Sequence, residues 1–147
     1  MEIIKMIHSF WAYLVVLAVL AATINGIIGL VGKKEYQPKD FRISLFALIV
    51  THIQLVIGII IFFVSPLGLQ SILTNGMGEV MGDSFLRLYA VEHPMMMIIT
   101  IVFVTMGYSK HKKKLVSGPK FKMLAIFYTL GLLCLLSRIP WSQWLNL

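Results

Sequence analysis

The sequence predicts an all-α protein: an integral membrane four-helix bundle with both termini on the outer face of a cytoplasmic-type membrane. Three observations carry this reading. Apolar residues make up 59% of the 147 residues and charged residues only 13%, about half the charged share of an ordinary soluble domain. The apolar residues fall into four long runs, each near the twenty helical residues that cross a hydrocarbon core. Ten of the thirteen Lys and Arg residues lie in two of the connections between those runs, and basic loops stay in the cytoplasm.

The first run, about residues 6–31, ends at Gly32 before Lys33 and Lys34. It is too long for the apolar part of a signal peptide and shows no cleavage site, so it is expected to stay as a span. The second, about 42–65, opens after Asp40, which suits an N-cap, and stops at Ser65, Pro66 and Gly68. The third, about 85–108, opens near Phe85 and closes at Tyr108 and Ser109. The fourth, about 121–138, stops before Pro140, and Trp141 and Trp144 then fit an interfacial aromatic belt. Helix is the expected form of each, because a backbone in lipid must satisfy its own hydrogen bonds. The segment from Leu67 to Ser84, rich in Gly and Met, is expected on the outer face as a loop or short helix.

The basic connections hold Lys33, Lys34, Lys39 and Arg42, and then Lys110, Lys112, Lys113, Lys114, Lys120 and Lys122. The other side holds Lys5, Arg87 and Arg138. A net charge of +7 is explained by orientation, and no nucleic-acid partner is expected. The localisation this implies is a bacterial inner membrane, multi-pass. Cys134 is the one cysteine, so no internal disulfide forms, and its apolar surroundings make it a packing residue.

Three of the four histidines, His8, His52 and His93, fall inside spans, one on each of the first three helices. His111 sits among Lys110, Lys112, Lys113 and Lys114 and is expected in a solvated loop without chemistry. An ionisable side chain within a span is costly and marks a functional position. Neutral imidazole is an axial ligand for haem iron, and helix bundles build such sites from inward-facing side chains. The expected cofactor is therefore haem b. Counted at 1.5 Å per residue, His52 lies roughly 15 Å from the cytoplasmic edge, His93 roughly 25 Å and His8 roughly 35 Å. His93 is a similar step from either partner. The pair His8 and His93 is preferred, since both lie toward the outer side on helices of the same direction, with His52 and His93 as the second choice.

Helical spacing puts Ala12, Val15, Val19, Ala22 and Gly26 on the His8 face, and Ala90, Met97, Thr100, Val104 and Gly107 on the His93 face. Small residues there let a helix or a flat ligand approach. Arg87 and Arg138 fall at the outer boundary, where haem propionates would emerge and arginine would pair with them; the alternative is that both snorkel to the interface. Glu92 is a candidate proton-relay group. Histidines also hydrogen-bond between helices without a cofactor, as Gln54 does. Met77, Met81, Met95, Met96 and Met97 raise copper handling as a further reading, since thioether and imidazole suit Cu(I). No nucleotide loop, metalloprotease motif or nucleophile constellation is present, which argues against a hydrolase or NTPase.

His8-Ser9 in the first span, Thr51-His52-Ile53-Gln54 with Ile57-Gly58 in the second, and Glu92-His93-Pro94 in the third resemble a family of small bacterial four-span proteins labelled cytochrome b. Gly76 to Glu79, Arg87 to Tyr89 and Arg138 to Trp141 extend the likeness over nearly the whole chain. The resemblance implies a b haem with ligands among His8, His52 and His93. A remoter likeness, carried by Gln54 and Gly58, is to one half of haem A synthase. The function expected is electron transfer beside a quinone pool or respiratory partner, or service as a small subunit of a larger membrane complex or homo-oligomer. The alternatives are a non-catalytic structural subunit without a cofactor, and copper or proton handling.

Overall fold

The computed structural model describes residues 1–145 and shows helices with no strand among them. In chain order they are α1 (Glu2–Val31), α2 (Pro38–Val64), α3 (Leu69–Asn75), α4 (Met77–Gly82), α5 (Ser84–Arg87), a π-helical turn (Leu88–Glu92), α6 (His93–Lys113), α7 (Ser117–Ser137) and α8 (Trp141–Trp144). Four segments are long and apolar enough to cross a membrane: Glu2–Val31, Pro38–Asn75, Ser84–Lys113 and Ser117–Ser137. Each reaches beyond the run of apolar residues, because polar and charged residues continue the helices into their flanks.

The long helices form a square. α6 packs against α7, α7 against α1, α1 against α2 and α2 against α6, so α1 and α6 stand diagonally opposed and run in the same direction. Small residues set the closest sides. A Cβ on Gly26 would stand 3.1 Å from the Ala125 nitrogen, and one on Gly107 would stand 2.8 Å from Phe127 Cβ, so both positions hold α7 at backbone distance. Val15, Val19, Ala22, Val50, Val104, Leu124 and Tyr128 make up the centre. Tyr128 donates its hydroxyl to the Ser44 carbonyl at 2.8 Å, and Trp11 donates to the Val50 carbonyl at 2.9 Å. Each bond satisfies a polar handle on an otherwise apolar side chain.

Three expectations are corrected at the level of local structure. Gln37, not Asp40, is the N-cap of α2, and Asp40 is the N3 partner of a capping box. The Asp40 carboxylate accepts the Gln37 N–H at 2.7 Å and the Asn25 amide at 2.9 Å, which explains why a carboxylate can be buried there. The outer connection is not a simple loop: α3 and α4 follow each other across Gly76, whose φ of +83° only glycine adopts freely. His111 is fully buried rather than solvated. Its Nδ1 lies 2.6 Å from the Tyr108 carbonyl, so Nδ1–H donates there and Nε2 accepts the Tyr36 hydroxyl at 2.8 Å. The Tyr36 main-chain N–H reaches Ser117 Oγ at 2.9 Å. One tyrosine thus ties the first connection to the end of α6 and the start of α7. Burial, with the Asp40 carboxylate and Tyr108 nearby, pushes the Tyr36 phenol up to about 12.

Candidate functional site

The site is set up by a defect in a helix. Pro94 has no N–H to give to a carbonyl four residues back, and its ring crowds that carbonyl. The chain widens by one residue just before it, and the His93 N–H bonds the Leu88 carbonyl five residues back. Such π turns re-aim the side chains that follow them and recur at functional sites. Here the turn delivers His93 to the inner wall of the bundle.

His93 Nδ1 lies 2.8 Å from the Arg138 carbonyl at the end of α7. A carbonyl only accepts, so Nδ1 carries the proton and Nε2 keeps its lone pair. That is the tautomer a metal-ligating histidine takes when a main-chain carbonyl holds its other nitrogen. Arg138 is held in turn. Glu92 accepts Arg87 Nε at 2.8 Å through one oxygen and Arg138 Nε at 3.3 Å through the other. Arg87 also donates to the Met81 carbonyl at 2.7 Å. The two arginines therefore share an acid from the chain itself. These side chains are 29–49% exposed, so each pair contributes on the order of 1 kcal/mol or less; their effect is to orient the chain beneath His93.

His8 faces His93 from the second turn of α1. The ring centroids are 6.2 Å apart and the planes are 84° apart. α2 supplies the wall beside His8. Gln54 Nε2 donates to the His8 carbonyl at 2.8 Å. A Cβ on Gly58 would meet His8 Cε1 at 3.4 Å, so any longer side chain there would displace the imidazole. Gln54 and Gly58, four apart, share a helix face. The rings open into a cavity of about 750 Å3 between α1, α2, α6 and the outer end of the bundle, with Ala12, Val15, Phe62, Met97, Leu135 and Trp144 among its walls. That volume falls in the range of small-molecule and cofactor pockets.

His52 does not reach this cavity. It precedes Gln54 by two residues, which on a helix is more than half a turn, and its Nδ1 bonds the Leu48 carbonyl of its own helix at 2.7 Å. Of the methionines, Met77, Met95 and Met97 border the cavity, whereas Met81 and Met96 do not. Among the described residues no three His, Cys, Asp or Glu side chains converge as a metal site. A pair of axial histidines is a smaller set than that, and the macrocycle supplies the other four ligands.

Two side-chain atoms of this wall are buried without a hydrogen-bond partner among the described residues: His8 Nδ1 and Gln54 Oε1. Buried polar atoms are nearly always paired, so the pairing here is incomplete. Sequence reasoning assigned Gln54 only to interhelical bonding. The π turn and the Arg138 carbonyl were not anticipated, although Pro94 inside a span was a signal that the helix there is irregular. Compared with known proteins, the chain matches no family model, no curated protein and no solved structure.

Proposed function

We propose that this chain is a membrane-embedded b-type haem protein of the bacterial inner membrane, with His8 and His93 as the axial pair and electron transfer as its task. The observation that carries the reading is the opposed pair of imidazoles over the cavity. Two imidazoles on one metal, each with a metal–nitrogen bond of about 2.0–2.1 Å and a ring nitrogen roughly 1.1 Å from its centroid, need centroids about 6.3 Å apart. His8 and His93 stand at 6.2 Å. A bound haem supplies one-electron redox chemistry. The chain's residues do the rest. Arg138 fixes the His93 tautomer, Gly58 leaves room for His8, and the apolar walls keep water from the site. The likeness to small four-span proteins labelled cytochrome b supports the same assignment.

The membrane setting has its own support. Phe10, Leu17, Phe63 and Leu133 are each more than 60% exposed or at that value on the outer faces of the long helices, an apolar surface too extensive for water. Ten basic residues gather at the end of the bundle that holds Tyr36 and His111. That end belongs in the cytoplasm and the cavity end outside, so both termini lie out. A purely structural subunit is the second reading, favoured by the His93–Arg138 bond, which joins α6 to α7 with no cofactor. It gives no account of His8, whose ring nitrogen is buried and unpaired.

A reduced-minus-oxidised optical spectrum of the purified protein tests the proposal. The expected result is a bis-histidine b-type spectrum that is lost in His8→Ala and in His93→Ala and kept in His52→Ala. Absence of haem absorbance after expression with ample haem would sink it.

A further inference from the structure

Three of the four histidines place Nδ1 on a main-chain carbonyl: His52 on Leu48 at 2.7 Å, His93 on Arg138 at 2.8 Å and His111 on Tyr108 at 2.6 Å. His8 is the exception, with Nδ1 buried and unpaired. Beside it stands a carbonyl that also lacks a partner, the Oε1 of Gln54. The two are complementary, since a neutral imidazole nitrogen can carry a proton and an amide oxygen accepts one. They are also neighbours, because the same amide already donates Nε2 to the main-chain carbonyl of His8 at 2.8 Å. That bond sets which end of the amide is nitrogen, since the reverse assignment would point two oxygens at each other. Both atoms are sealed from solvent, so water does not complete them.

We propose that the Gln54 carboxamide is a positioning clasp for His8: Nε2 holds the main-chain carbonyl, Oε1 takes the Nδ1 proton, and the ring's Nε2 is left to face the cavity as the ligand atom. A turn of the imidazole about its Cβ–Cγ bond is the movement required. The clasp gives His8 what Arg138 gives His93, an acceptor for the second nitrogen, which orients a ligating imidazole and raises its basicity. It differs in kind, because a side chain supplies it. The chain can therefore tune one axial ligand by substitution at residue 54 while the other is tied to backbone. This assignment extends the haem reading, but the tautomer of His8 is a property of the protein with or without haem.

The first test is nitrogen-15 NMR of His8 in the haem-free wild-type protein in detergent, which needs no variant. The expected result is the Nδ1–H tautomer with a hydrogen-bonded proton; an Nε2–H tautomer overturns the clasp. The second test is haem-loaded Gln54→Leu and Gln54→Glu. Gln54→Leu is expected to weaken haem binding about tenfold to a hundredfold and to raise the midpoint potential, because a less basic ligand stabilises the oxidised iron less. Gln54→Glu keeps an acceptor oxygen and is expected to restore binding and hold the potential at or below that of the wild type. An unchanged potential in Gln54→Leu overturns the clasp while the haem reading stands. A wild-type protein that shows the Nδ1–H tautomer but takes up no haem removes the haem reading and leaves the clasp.

Discussion

Tyr36 shows how much one residue can hold in place. Its main-chain N–H reaches Ser117 and its hydroxyl reaches His111, so Tyr36→Phe leaves a buried imidazole nitrogen unpaired. The expected loss is about 1–3 kcal/mol, read as a lower midpoint of denaturation in detergent; an unchanged midpoint would show that His111 finds another donor. The same residue gives a pH dependence. An unfolded tyrosine ionises near pH 10, whereas the folded phenol holds its proton to about 12. Its contribution to stability is complete below pH 10 and is lost as pH rises through about 12. Stability is therefore expected to fall across that window, and Tyr36→Phe is expected to fall less steeply. Equal slopes in the two proteins would assign the loss to other groups.

The third span teaches the lesson at the scale of an element. Its 30 residues are not one regular helix but α5, a π turn and α6, and the irregularity sits against Pro94. Pro94→Ala restores the missing N–H and lets the turn relax to α-helix. Removing one residue of bulge rotates what precedes it by roughly 100°, so His93 is expected to leave the His8 wall. The measurable result is loss of the b-type spectrum with helix content by circular dichroism unchanged. A retained spectrum would mean that packing against α7, not the π turn, aims His93.

At the scale of the whole molecule the two ends of the bundle have different chemistry. One end carries ten of the thirteen basic residues and the Tyr36–His111 pair; the other carries the cavity and the Glu92 arginine pair. Single cysteines settle the orientation, placed in a Cys134→Ser background at Lys34, Lys114 and Gly78. A membrane-impermeant thiol reagent added outside intact cells is expected to label position 78 and to spare 34 and 114. Labelling of the basic connections from outside would invert the topology and move the cavity to the cytoplasmic side.

The four spans, their order and the crowding of basic residues into two connections were legible in the sequence, because hydropathy and charge are local quantities that survive without knowledge of packing. So were the faces: Val15, Val19, Ala22 and Gly26 are buried on α1, and Ala90, Thr100, Val104 and Gly107 on the third span, as helical periodicity requires. Depth along a straight helix could not choose between His8 and His52 as the neighbour of His93. That choice depends on rotation about the helix axis and on which helices oppose each other diagonally. Packing settles it, through a π turn beside one proline and a two-residue offset between His52 and Gln54. Nor could a run of lysines reveal that His111 is buried among them, since its burial comes from Tyr36, 75 residues away in the chain. Composition and periodicity determine what a segment is; which side chains meet is decided by register and rotation between segments, which no single segment encodes.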